Sequence, residues 1–275
     1  MLADEAKPFT SGEEALAGER CAGEIRGFPV EVDEYRKLAE AEDVMWYFHA
    51  VHGHVRRALQ RTLPSPGAAE LLDAGCGTGG LITRLSALRP EWHWTGVDIS
   101  PLACSWTRTR GDFKVVEASL TGLPLASASF DAVTSVDVLY HIDDDEAALR
   151  ELWRVLRPGG LVVINVPAYQ WLWSYHDEAV HSVRRYGRAE VVAKLRAAGF
   201  AEVRTTHWNM IPLPLVVVRR KLLPAPKQGS DVAVQAPWVE ALFRGFMRVE
   251  AAWLGRGGSL PAGSSIFAVA RKPRA

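Results

Sequence analysis

Apolar positions change their period several times along this chain, and each change marks a structural element. From Val32 to about Gln60, Val44, Tyr47, Phe48, Val51 and Val55 recur at spacings of three and four, as in an amphipathic helix. Beyond Glu70 the apolar runs become short and continuous. Those ending in Leu71-Leu72-Asp73-Ala74, and those at Trp94–Asp98, Phe113–Val116, Phe130–Val136 and Leu161–Val166, have the length and character of buried strands. Helical spacing fills the gaps: Leu81 to Leu85, Cys104 to Thr107, Leu149 with Leu152, and Val191, Leu195 and Ala198 before Gly199. Buried strands alternating with helices predict an α/β domain on a mostly parallel sheet. Two further strands are predicted at Val203–Met210 and Ser264–Ala270.

More than fifty residues separate those last two strands, where a short connection is the norm. Residues 211–260 read as a helical insertion. Leu213–Leu223 is apolar and then basic, Pro224–Gly229 is a linker, and Leu242, Phe246, Val249 and Trp253 give helical spacing over Trp238–Leu254. Pro64–Gly67 is a loop signal, and Arg157-Pro158-Gly159-Gly160 a tight turn. Residues 1–30 show no periodicity and are expected to form a mobile tail. That leaves 31–275 as one domain, opened by helices over 31–62.

Chemistry concentrates at the junction Asp73-Ala74-Gly75-Cys76-Gly77-Thr78-Gly79-Gly80. Glycines at 75, 77 and 79 let the backbone turn sharply after a strand and keep side chains away from a ligand. Gly75, Gly77 and Gly80 also satisfy the dinucleotide fingerprint, with Asp98 about 20 residues on. Asp73 favours a different ligand, because a carboxylate ahead of the turn suits an ammonium group better than a pyrophosphate. Asp98 ends its predicted strand, where it could accept hydrogen bonds from both ribose hydroxyls or cap the helix beginning near Pro101.

Four blocks in order carry a family resemblance: Leu71–Gly80, Gly96–Ser100, Leu123–Leu125 through Ser129–Val133, and Leu156–Leu161. Together they resemble the class I S-adenosylmethionine (SAM)-dependent methyltransferases of the broad bacterial small-molecule type. The resemblance implies a Rossmann-like, seven-stranded, mostly parallel sheet whose antiparallel last strand inserts beside the fifth. It also implies an N-terminal helical lid, alongside the C-terminal helical insertion read from spacing. It places SAM on Asp73, Gly75, Cys76, Gly77, Gly79, Asp98, Ile99, Ser119, Leu120, Val136 and His141. Ser119 stands where many relatives have an Asp for the adenine amino group. Asn165-Val166-Pro167-Ala168-Tyr169 is similar to the Asn/Asp-Pro-Pro-Tyr element of exocyclic-amine methylating enzymes, but Val166 and Ala168 break it, so that chemistry is not carried over.

Composition narrows the partners. A formal net charge of +0 argues against general affinity for nucleic acid. Three scattered cysteines give no zinc or disulfide pattern, and Cys76 reads as a small packed residue. His49, His52 and His54 lack the ligands that would complete a metal set. No apolar run nears the ~20 residues of a membrane span, and acids near Met1 do not suit a signal peptide, so a cytoplasmic protein without stable membrane insertion is expected.

The acceptor is expected among the aromatics Trp46, Tyr47, Tyr169, Trp171 and Trp173, with Arg184 and Arg185 available for an anionic group. His176, His181 and Tyr186 are the candidate bases if a proton must leave, the alternative being that His181 and Tyr186 fix a turn. His141 could border the cofactor or close its loop by hydrogen bonds. The expected reaction is transfer of the SAM methyl to an N, O or C atom of a small, apolar or aromatic acceptor. A nicotinamide oxidoreductase and a non-catalytic SAM-binding scaffold are the alternatives.

Overall fold

The computed structural model describes residues 32–63, 67–224 and 234–274. The expected tail over 1–30 and most of the loops at 64–67 and 224–229 lie outside them. Seven strands are present: β1 (Ala69–Ala74), β2 (Trp92–Asp98), β3 (Lys114–Glu117), β4 (Phe130–Val136), β5 (Leu156–Pro167), β6 (Ala201–Trp208) and β7 (Ser265–Arg271). They form one sheet in the order β3-β2-β1-β4-β5-β7-β6. The pairs from β3 to β5 are parallel, and β7 runs antiparallel to both β5 and β6.

Strand alternation divides the core between the sheet's two faces. On one face, Leu72, Val133, Val162 and Ile164 pack with Leu149, Leu152 and Leu195 from helices α5 (Asp145–Val155) and α7 (Arg188–Ala197). On the other, Leu71, Ala132, Leu161 and Val163 meet Val55, Leu59, Ile82 and Leu85 of α2 (Trp46–Thr62) and α3 (Gly80–Leu88). Leu72 and Leu152 are fully buried, so truncating either to Ala should cost about 2–5 kcal/mol.

Two elements have boundaries that periodicity did not give. The N-terminal helix breaks at Met45 into α1 (Val32–Val44) and α2, with Met45 extended at ψ 134°. No Pro or Gly marks that break. The Trp46 N–H instead donates to Glu240 Oε2 at 2.7 Å, a partner 194 residues away. The expected turn at 157–160 lies inside a longer β5, where Gly159 adopts φ +81° and the register against β4 slips between Phe130 and Ala132. The glycines thus form a bulge, held by hydrogen bonds with the backbone of Lys272.

The insertion between β6 and β7 holds α8 (Leu213–Lys221) and α9 (Pro237–Gly255). Met247 of α9 packs with Trp46, Val51 and Trp208, a third apolar cluster at the end of β6. Glu250 anchors the same helix by accepting from the backbone N–H groups of Asn209, Met210 and Ile211 at 2.7–2.8 Å.

Candidate active site

Strands β1 to β5 are parallel, so their C-terminal ends share one edge, and the chain order reverses there between β1 and β4. Open α/β sheets bind ligands in that crevice. The glycine turn begins at it. The N–H groups of Gly75 and Cys76 both donate to Val97 O, at 2.7 and 2.9 Å, which ties the turn to β2. Gly75 adopts φ +89°, and a Cβ there would fall on the Val138 side chain. A Cβ on Gly77 would meet nothing nearer than Glu42 Oε1 at 3.5 Å, so the turn presents an open cradle at that point. Gly79, at φ +81°, sits just before α3.

The acids around this cradle are buried. Asp73 is 2% exposed and accepts from Thr134 Oγ1 at 2.7 Å. Burial pushes its carboxyl up to about 7, against the opposing effect of Thr134. Asp98 accepts from the N–H groups of Gly77 and Ser100, both at 2.9 Å, and burial raises it as well. Ser100, not Asp98, caps the helix α4 (Pro101–Thr109), its hydroxyl accepting from the Ala103 N–H. Asp98 therefore bridges the two loops and still offers lone pairs to a ribose. Beside it Ile99 is 71% exposed, an apolar platform at the crevice.

Ser119 lies beyond the end of β3, within 2.9 Å of the Thr121 hydroxyl, with Leu120 buried behind it. Val136 ends β4 half-buried. Cys76 is buried against Thr107, and burial pushes its thiol well above the ordinary range, as befits packing.

Glu42 was not anticipated. Its carboxylate, 8% exposed, accepts from the Gly80 N–H at 2.9 Å and from the Thr78 hydroxyl. Burial pushes it up to about 7, with Thr78, Arg110 and Gly80 opposing. Arg84 and Arg110 fasten the same helix by donating to the Glu42 and Ala39 carbonyls. The N-terminus of α3, where a pyrophosphate would bind, is thus filled by a carboxylate. This set of carboxylate acceptors suits a ligand that brings an ammonium and a ribose, as SAM does, and a carboxylate at the α3 N-terminus does not suit a pyrophosphate.

A second network lies across the same edge. Tyr47 OH donates to Asp137 Oδ2 at 3.0 Å, and Asn165 Nδ2 donates to Asp137 Oδ1 at 2.8 Å. Trp208 Nε1 donates to Asn165 Oδ1 at 2.7 Å, and the Trp208 ring stacks on Tyr47 at 5.1 Å. Asp137 follows β4, is half-buried and adopts φ +57°, a left-handed conformation uncommon outside glycine. Burial pushes its carboxyl up to about 6. The next residue, Val138, packs over Gly75, so this network adjoins the glycine turn. Asp137 was not anticipated, although it directly follows β4 much as Asp98 ends β2, and that position was the available signal.

The other expected acceptor residues divide. Tyr169, at φ +62°, stacks on Trp171 at 5.6 Å and on His207 at 5.2 Å, and Trp171 is 55% exposed. Trp173 is half-buried, its carbonyl accepting from Lys221 Nζ. Trp46 needs correction, because it stacks on Phe243 at 4.9 Å inside the third cluster. Arg185 and Tyr186 need correction too. The Arg185 guanidinium is buried, donating to Asp177 at 2.7 Å and to the Ala168 carbonyl. Tyr186 OH is buried and donates to Asp145 Oδ2 at 2.7 Å, and burial raises it far above the range of a base. Arg184 pairs with the same Asp145 at 3.3 Å and donates to the Asp143 carbonyl.

His176 lies in the short helix α6 (Tyr175–Ala179), its N–H donating to Ser174 Oγ. His181 adopts φ +53°, and its carbonyl lies 3.4 Å from His141 Nδ1, so these two imidazoles belong to adjoining loops. His52 and His54 are buried, which lowers both to about 3. Among the described residues, no group of three or more His, Cys, Asp or Glu is placed to hold a metal.

A family model described as a methyltransferase domain matches residues 72–164. The chain is 34% identical to malonyl-[acyl-carrier protein] O-methyltransferase of Enterobacter lignolyticus, over 48% of this chain and 54% of that protein, so it spans about half the relative's length. It is 31% identical to a ubiquinone/menaquinone biosynthesis C-methyltransferase of Desulfotalea psychrophila, over 54% of this chain and 72% of the relative. Phosphoethanolamine N-methyltransferase 2 of Haemonchus contortus, solved with S-adenosyl-L-methionine, has a TM-score of 0.59 to this chain. Its identity is 15%, over 90% of this chain and 58% of that one, a likeness of fold. The chain belongs to the class I S-adenosylmethionine-dependent methyltransferases.

Proposed function

We propose that this methyltransferase acts on a small, apolar or aromatic acceptor whose polar group is held at Asp137. The observation that carries this is the network of Tyr47, Asp137, Asn165 and Trp208, an acidic group set among aromatic rings beside the glycine turn. Small-molecule sites combine such apolar walls with a few polar anchors. Relatives named for ubiquinone/menaquinone biosynthesis fit an acceptor of that kind.

SAM, when bound, supplies an electrophilic methyl group on its sulfonium. In this reading Asp73 sits near the ammonium, Asp98 orients the ribose and Ile99 lies under the base. Asp137 holds the acceptor and takes its proton if one must leave. A carboxyl pushed up to about 6 by burial can accept a proton near neutral pH, and Tyr47 and Asn165 fix its orientation. Tyr169 and Trp171 border the acceptor, and α1 excludes water from the cofactor side. Arg185 and Tyr186 hold the turn that follows.

Incubation with SAM and a panel of phenols, quinols and aryl carboxylates, followed by mass analysis, tests the reading. One acceptor should gain a methyl group as S-adenosylhomocysteine forms. Methylation confined to protein or nucleic acid would refute it.

A further inference from the structure

Helix α9 presents apolar residues on two sides. Phe243 and Met247 face Trp46 and the third cluster. On the other side Trp238, Leu242, Val249 and Trp253 are 70%, 46%, 64% and 56% exposed. Their spacings of four, seven and four residues place them in a stripe about 60° wide at 100° per residue. A helix of a water-soluble domain ordinarily turns a polar face outward, so this stripe calls for an occupant.

Charge selects the occupant. Among the described residues of 209–260 the acids are Glu240 and Glu250, at 4% and 2% exposed, both accepting from backbone N–H groups. The cations are Arg219, Arg220, Lys221, Arg244, Arg248 and Arg256, and Arg248 and Arg256 are exposed beside the stripe. A second copy docked through this face about a two-fold axis would bring its arginines together, and among the described residues of 209–260 no exposed acid meets them. Tryptophans at both ends of an apolar stripe flanked by arginines match the boundary between lipid headgroups and acyl chains.

We propose that the outer face of α9 docks peripherally on an anionic lipid bilayer. Attachment is to the surface, since among the described residues no helix is long and apolar enough to cross a membrane. The inference rests on this face alone and stands whichever acceptor is methylated.

Co-sedimentation of the full chain with unilamellar vesicles tests it. Equimolar phosphatidylglycerol and phosphatidylcholine should bind the protein at least about tenfold more tightly than phosphatidylcholine alone, and added salt should weaken that binding. Trp238→Ser with Trp253→Ser should lower binding to the anionic vesicles about tenfold or more, by loss of the interfacial rings. Arg248→Gln with Arg256→Gln should narrow the preference for anionic lipid. Retained thermal stabilisation by SAM would show that each variant is folded. Absence of binding to anionic vesicles, or unchanged binding by the folded double tryptophan variant, would overturn the proposal. So would a concentration-dependent dimer of the wild type that the tryptophan substitutions dissolve, since that assigns the face to a second copy.

Discussion

The two halves of the sheet's C-terminal edge are built differently. On the β1–β2 side, the turn is shaped by backbone: glycines at positive φ, N–H groups on Val97 O, and Asp98 bonding N–H groups 21 and 2 residues away. On the β4–β5 side, the site is shaped by side chains brought from afar. Tyr47 reaches Asp137 across 90 residues, and Trp208 reaches Asn165 across 43. On the proposed reading, the backbone-built half serves the cofactor and the side-chain-built half the acceptor.

That contrast yields graded predictions. The largest effect should come from Asp137→Asn, which keeps the shape but removes the charge and the proton acceptor. Turnover should fall about 10²-fold or more if a proton must be taken, with SAM affinity within a few-fold of wild type. Equal loss of both would merge the two halves. Asp98→Ala should do the reverse, weakening SAM by about 1.5–3 kcal/mol in calorimetry through lost charge-assisted hydrogen bonds. An unchanged affinity in the folded variant would remove Asp98 from the cofactor half.

The pH dependence of SAM binding sharpens the same half. Glu42 and Asp73 are both raised to about 7 by burial, so both hold protons in the free protein below neutrality. Their contribution to folding is full below the ordinary carboxylate range and is lost as pH rises toward 7. A cationic ligand beside Asp73 favours its ionised form, so affinity should weaken by up to about tenfold per pH unit below 7. Calorimetry at several pH values, in buffers of different ionisation enthalpy, reads both the slope and the released proton. A flat profile would detach Asp73 from the ammonium.

Smaller effects test the acceptor wall and its support. Trp171→Ala should raise the acceptor KM several-fold and spare SAM affinity, being half exposed and stacked on Tyr169. Tyr186→Phe should cost about 1–2 kcal/mol of stability in denaturant unfolding by removing a buried hydrogen bond, with turnover within a few-fold. A large loss of turnover there would return Tyr186 to the chemistry.

The same contrast explains what could be read from sequence. The glycine turn was legible, and so was the placement of Asp73 and Asp98 beside it, because the constraints are local: a positive φ needs glycine, and a strand's end fixes where its last side chain lies. The seven strands followed from periodicity, and the place of the antiparallel seventh beside the fifth from the family resemblance. Glu42 was not legible, since an acid between Ala41 and Asp43 in a polar helix reads as a solvated face until Gly80 and Thr78 are brought against it. Trp46 misled because an aromatic run does not say which ring faces inward, and Phe243, which settles it, lies almost two hundred residues on. Arg185 and Tyr186 misled in the same way, since Asp177 and Asp145 claim them only after the loops have closed.

The position of β7 has a consequence for synthesis on the ribosome. This strand lies between β5 and β6, yet it follows both in the chain, with α8 and α9 made in between. Until Ser265–Arg271 emerges, β5 has one open edge and β6 has no strand to pair with. Unpaired edges invite association between chains, so the nascent protein passes through an aggregation-prone interval while the insertion is translated. The long detour before β7 therefore sets how long that exposure lasts.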